Sequence, residues 1–225
     1  METLLHRQLK AHYAGDDGSQ EVVCDGYRID AVRGDELIEI QHGSLAAIRD
    51  KIASLLRRRR VRVVKPIVAN KVLVKLDGRG GAEVDRRRSP KRGAVLNVFD
   101  ELVYFTRVFP HERLVLEVVL IDVEERRYPG RGKRRRRGRN DYQIEEQRMV
   151  QIVASHQFAT AADLRRLLPT RLPRQFHTAQ LAERMKTQRW IAQRIVYCLR
   201  QMGAVEVVGK QGNAILYSCP PSKAA

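Results

Sequence analysis

The sequence predicts a mixed α/β sheet flanked by helices, followed across a basic linker by a small α+β domain. Three observations carry that expectation. Apolar residues in the first half recur with the periods of helix, strand, strand, helix and strand. A run from Arg126 to Arg139 then breaks the pattern with nine lysines and arginines and no acid. Beyond it the helical period resumes and gives way to two short strands. The 225 residues suffice for two small domains, and a hydrophobic fraction of 43% suffices for their cores. The expected organisation is residues 1–125, a linker over 126–141, and a second domain over 142–225.

Taken in order, Leu4, Leu5, Gln8, Leu9 and Tyr13 form a helical stripe that Gly15-Asp16-Asp17-Gly18 stops. Glu21 to Cys24 and Tyr27 to Val32 read as strands joined at Asp25-Gly26, and Leu37 to Gln41 as another strand. Ser44 caps a helix with apolar positions at Leu45, Ile48, Ile52, Leu55 and Leu56. Val61 to Val68 is β-branched and strand-like, with a further strand at Val72-Leu73-Val74. Arg79-Gly80-Gly81 and Arg86 to Gly93 read as loops. Ala94 to Phe109 reads as one helix, and Leu114 to Val123 as a buried strand.

The net charge of +17 favours a polyanionic partner. No apolar run reaches the roughly 18 residues of a spanning helix, and the segment after Met1 lacks a signal-peptide core. Nucleic acid is therefore preferred over membrane, and the cytoplasm (the nucleoid, in a bacterium) is the expected location. Cys24, Cys198 and Cys219 are odd in number and widely spaced, so they offer neither a disulfide framework nor a metal knuckle.

The stretch Ile29 to Gln41 carries the most chemistry. A hairpin turning at Gly34-Asp35, with glycine at the first central position of a type II′ turn, sets Arg33 against Glu36, Val32 against Leu37 and Asp30 against Glu39. Alternation puts Glu39 and Gln41 on one face, Ile38 and Ile40 on the other. Two facing carboxylates repel. A divalent cation with oxygen ligands, Mg2+ or Mn2+, compensates them and can assist phosphodiester hydrolysis. The plainer alternative is a solvated acidic strand face. His6 and His12 lack a partner at metal spacing and read as surface or packing residues.

Past the linker, Glu145 to Ser155 reads as a helix, Thr160 caps a second, and Thr178 caps a third running to Met185. Lys186-Thr187 is a tight connection to a helix over Gln188 to Met202, which Gly203 ends. Strands Ala204 to Val208 and Ala214 to Ser218 follow. Helix, turn, helix, hairpin is the order of a winged helix-turn-helix. Gln188, Arg189, Gln193 and Arg194 are then placed to reach phosphates or base edges, with Lys210 at the wing tip. Trp190, Ile191, Ile195, Val196 and Leu199 are expected to face inward. Arg134, Arg135, Arg136 and Arg137 of the linker are expected to clamp phosphates. The fold alone also permits a protein-interaction module.

The first seventy residues resemble the PD-(D/E)xK (restriction-endonuclease-like) nuclease superfamily, with its leading helix, strand bearing Asp30, hairpin to Glu39-Ile40-Gln41, helix from Ser44 and strand from Val61. The resemblance implies that Asp30 and Glu39 bind metal and that Gln41 completes the catalytic set in the position usually held by lysine. Glutamine supplies no positive charge. Arg28 or Lys51 could supply it, and Glu21 could add a ligand. The leading expectation is thus an Mg2+-dependent DNA endonuclease. The alternative is a DNA-binding regulator or architectural protein without catalysis. A junction-selective nuclease, expected to be a symmetric homodimer, is the third reading, and an arginine-rich protein equally permits RNA as ligand.

Overall fold

The computed structural model describes residues 2–16, 18–130 and 142–220. Its elements are α1 Leu4–Ala14, β1 Ser19–Cys24, β2 Tyr27–Arg33, β3 Glu36–Ile40, α2 Arg49–Leu55, β4 Arg60–Leu76, β5 Glu83–Arg88, α3 Val98–Leu102, β6 Leu114–Pro129, β7 Tyr142–Phe158, α4 Ala161–Arg165, β8 Gln175–Phe176, α5 Thr178–Arg184, α6 Arg189–Gln201, β9 Glu206–Gln211 and β10 Ala214–Ser218. The fold is mixed α/β. Two compact units interleave along the chain. One comprises 1–42, 64–95 and 118–156; the other comprises 43–63, 96–117 and 157–225. Each unit is thus assembled from discontinuous segments, whereas the sequence divided the chain into successive stretches.

The first unit carries a sheet of seven described strands in the order β1-β2-β3-β4-β6-β7, with β5 on β4. Its core forms where Leu5, Leu9, Tyr13 and Ala14 of α1 pack on Ala31, Ile38, Ile40, Val64, Val119, Ile121 and Val123. The helix stripe and the strand alternation therefore meet on one apolar surface, and burying each leucine contributes about 1.5–3 kcal/mol. Thr3 starts α1 by accepting the His6 amide hydrogen, and Gly15 ends it at φ +62°. The first hairpin turns at Asp25 and Gly26, both at positive φ; the second turns after Arg33, with Gly34 at φ +60°.

Four sequence expectations need correction here. Glu145 to Ser155 is not helical; it lies within β7. Met149, Ile152 and Val153 satisfy helical spacing, but Ile152, Ala154, His156 and Phe158 satisfy period two equally well. Pairing with β6 decides between them. Arg86 to Gly93 begins as strand, because Arg86, Arg87 and Arg88 pair with Val74, Leu73 and Val72. The two expected strands at Val61 and Val72 are one continuous β4. Ala94 to Phe109 contains a 3-10 turn at Val95–Asn97 and the short α3 rather than one helix. Beyond α3, Leu102, Phe105 and Val108 are buried at intervals of three, and the amides of Phe105 and Val108 donate three residues back. That spacing suits the tighter winding.

In the second unit, α5 and α6 are joined by Lys186, at φ +50°, and Thr187, whose amide donates to Ala182 at 2.9 Å. Ala192, Ile195, Val196, Cys198 and Leu199 bury one side of α6. The short strand β8 pairs with β10, which pairs with β9 across a turn at Gly212-Asn213. His177, not Thr178, caps α5. Its ring accepts the Gln180 amide hydrogen while the Gln180 side chain accepts that of His177.

Candidate active site

The second hairpin has the register the sequence predicts over Arg33↔Glu36, Val32↔Leu37 and Ala31↔Ile38. Asp30 sits one residue beyond this ladder and Glu39 one residue before Ile40. Asp30 is half-buried and held at two points: Oδ2 accepts the Ile40 amide hydrogen at 2.8 Å, and Oδ1 lies 3.1 Å from Nε2 of His6. Glu39 is buried, at 7% exposure. Gln41 is half-buried, and its amide donates to the Val64 carbonyl at 2.9 Å, which ties the end of this hairpin to β4.

His6, read from the sequence as a surface or packing residue, is the first neighbour of the candidate site that sequence reasoning missed. It lies beside the Leu5–Leu9 stripe of α1, so the packing of that stripe on β2 and β3 delivers it to an acid 24 residues away. Its pKa is raised above 6.5, chiefly by the hydrogen bond to Asp30 and less by the Asp30 and Glu2 charges. The His42 ring stands edge-on to His6, with centroids 5.5 Å apart. Part of His42 faces solvent, but its ring is crowded enough that desolvation, then the charges of His6 and Lys65, pushes its pKa down to about 4.

Lys65 is the second missed residue. It is 6% exposed on β4, and its Nζ donates to the His42 carbonyl at 3.0 Å. A buried ammonium beside the end of β3 supplies positive charge near Gln41. The sequence signal was a lone cation inside the apolar run Val63 to Val68.

Of the other expected supports, Arg28 and Glu21 pair with each other, while Arg28 still feels the Asp30 charge. Arg28 is committed to Glu21, and Glu21 also accepts from Lys10 at 2.5 Å. The Lys10 hydrogen bond, followed by that from Arg28, lowers the Glu21 pKa to about 2. The Arg28–Glu21 pair is therefore a surface ion-pair cluster with Lys10 and Glu2. Lys51 is half-buried on α2, in the other compact unit. Among the described residues, no group of three or more His, Cys, Asp or Glu side chains is arranged to hold a metal ion. What the hairpin offers is a pair of carboxylates, and Mg2+ commonly needs no more than one or two, with water filling the remaining positions.

Gln188 at the N-cap of α6 and Arg189 and Gln193 on it are exposed, as is Lys210 on β9. Trp190 does not face inward. It is 49% exposed, its indole nitrogen donates to Gln188, and the Arg194 guanidinium lies over its ring at 4.9 Å. Arg194 is also paired with Asp100 of α3, which restrains it more than its neighbours. Arg134, Arg135, Arg136 and Arg137 lie outside the described residues.

A family described as "Domain of unknown function (DUF8091)" matches residues 3–159. The chain belongs to the DUF8091 family. The DUF8091 match takes in Asp30, Glu39, Gln41, His6, His42 and Lys65, and ends just after β7; α4 to β10 lie beyond it. The chain is also similar to an uncharacterized protein of Treponema pallidum (strain Nichols), 28% identical over 98% of this chain and 86% of the relative. No solved structure matches. No described helix is long and apolar enough to cross a membrane.

Proposed function

We propose that this protein is a metal-dependent DNA endonuclease of the PD-(D/E)xK type, with residues 160–218 forming a winged helix-turn-helix that holds the duplex. The observation that carries the proposal is Asp30, fixed by the Ile40 amide on the hairpin that also bears buried Glu39, with the buried Lys65 ammonium donating to the His42 carbonyl two residues beyond Ile40. Strands in the order β1-β2-β3-β4, with α2 between β3 and β4, support the nuclease-like reading. The order α4-β8-α5-α6-β9-β10, with β8 on β10, supports the winged-helix reading.

In this mechanism Asp30 and Glu39 would hold Mg2+ or Mn2+, and the ion would supply Lewis-acid chemistry and an activated water for phosphodiester hydrolysis. The Ile40 amide keeps Asp30 oriented. Lys65 places positive charge where a phosphate gains negative charge, a role Gln41 cannot fill. Gln41 orients a water or donates to a phosphate oxygen. His42, its pKa pushed down to about 4, is neutral near pH 7 and only a weak base, whereas His6 holds a proton more tightly. Arg189, Gln193 and Lys210 contact the duplex, and the net charge of +17 draws it in.

Nicking of supercoiled plasmid with Mg2+ or Mn2+ tests the proposal. Cleavage is expected, and it is expected to vanish with EDTA and in the Glu39→Ala protein; cleavage that persists in either control overturns it. A non-catalytic DNA-binding regulator is the second reading. It is favoured by glutamine at position 41 and by the hold of His6 on an Asp30 oxygen. A salt-sensitive gel shift without nicking would select it.

A further inference from the structure

A cleft of about 400 Å3 opens between the β4–β5 hairpin and the segments around Tyr128 and Tyr142. Its size is in the range of about 300–1,000 Å3 that takes small organic ligands. The β4–β5 register sets Leu73 against Arg87 and Lys75 against Asp85, which places these four side chains on one face of the hairpin. Leu73, buried on that face, gives an apolar floor.

The electrostatics of the rim are unbalanced. Arg86, the neighbour on the opposite face, is neutralised by Glu83 and Glu124. Among the described residues, Lys75 and Arg87 are in no ion pair, and both are exposed. Arg127 is fixed differently. It pairs with buried Glu125 and lays its guanidinium over the Tyr142 ring at 4.0 Å. Tyr128 is anchored by donating to the Gln143 side chain at 2.6 Å. The cleft thus combines a preset arginine–tyrosine stack, a second aromatic ring, two unpaired cations and one acceptor, Asp85.

We propose that this cleft binds a nucleotide. The base stacks against the Arg127–Tyr142 layer or Tyr128, its phosphate meets Arg87 and Lys75, and an amine or hydroxyl donates to Asp85. Stacking on tyrosine and guanidinium planes with cations along the backbone is how unpaired nucleotides are held. The ligand is either a free mononucleotide or one nucleotide of a single strand. The proposal does not rest on the metal-site reading, since neither Asp30 nor Glu39 lines the cleft.

The test uses the full 225-residue chain in EDTA, titrated by calorimetry with deoxyadenosine monophosphate and, separately, with inorganic phosphate. One-to-one binding of the nucleotide, at least about tenfold tighter than phosphate, is expected, with a further loss of about tenfold or more in Arg87→Glu and Lys75→Glu. Tyr142→Phe keeps the stack and is expected to bind normally, while Asp30→Asn is expected to leave nucleotide affinity unchanged. Melting curves establish that the variants are folded. Equal affinity for nucleotide and phosphate, or indifference to both charge reversals, overturns the proposal. A labelled oligodeoxyadenylate identifies the source. Displacement by the mononucleotide supports a single-strand site; oligonucleotide binding unaffected by Arg87→Glu, while mononucleotide binding is lost, supports a free nucleotide.

Discussion

Replacing Asp30 with asparagine separates the two things this side chain does. Asparagine keeps an oxygen for the Ile40 amide, 2.8 Å away in the native protein, so the backbone donor stays satisfied. It removes the negative charge that faces His6 at 3.1 Å. A hydrogen bond between charged groups contributes about 1.5–3 kcal/mol. Both side chains keep 21% exposure, so solvent screening reduces this to about 1 kcal/mol. The pH dependence fixes the sign. Asp30 raises the pKa of His6 in the folded protein, so the stabilisation is fully present below pH 6.5 and is lost as pH rises through the folded value. Urea denaturation is therefore expected to show Asp30→Asn weaker than the native protein by about 1 kcal/mol near pH 5.5, with the difference nearly gone at pH 9. In parallel, the His6 ring resonance is expected to titrate at lower pH in the variant. A stability loss of equal size at both pH values, with His6 titrating as before, would refute the pairing. Asp30→Ala is the poorer test, because it also strands the Ile40 amide, at an added cost of about 1–3 kcal/mol.

Further perturbations probe other parts of the molecule. Leu9→Ala is expected to lower unfolding free energy by about 2–5 kcal/mol in urea titration, since Leu9 is fully buried between α1 and the sheet. Lys65→Met is expected to abolish plasmid nicking while gel-shift affinity stays within about twofold, a change of roughly 0.4 kcal/mol. Nicking at the native rate would remove Lys65 from the mechanism. Cys198, whose pKa burial pushes up to about 12, is expected to resist thiol reagents at pH 8 until the protein is denatured. Arg189→Ala is expected to weaken duplex binding and flatten its salt dependence by about one phosphate contact, with Arg194→Ala having the smaller effect because Asp100 already engages Arg194.

What the sequence determined by itself was whatever rests on neighbours along the chain. The α1 stripe, the glycine turn that registers β2 on β3, the Ser44 cap and the end of α6 at Gly203 depend on residues a few positions apart. Backbone sterics and periodicity therefore reveal them. The mixed α/β class follows from their order.

Tertiary structure decided the rest. In β7 the apolar residues fit two periods at once, and only the β6 edge selects the strand. In β5 every residue is exposed and half are arginines, so no apolar pattern existed to read; hydrogen bonding to the tail of β4 makes it a strand. Trp190 was expected inside because it is apolar, yet its indole finds Gln188 and Arg194 at the surface. The candidate site divides along the same line. Asp30 and Glu39 share one hairpin and were legible together. His6 and Lys65 come from a helix and a strand distant in sequence, and Arg28, close by in sequence, is drawn to Glu21 instead. The charge state of such groups depends on burial and on which opposite charge lies within a few ångströms. Those distances are fixed only when α1 packs on the sheet.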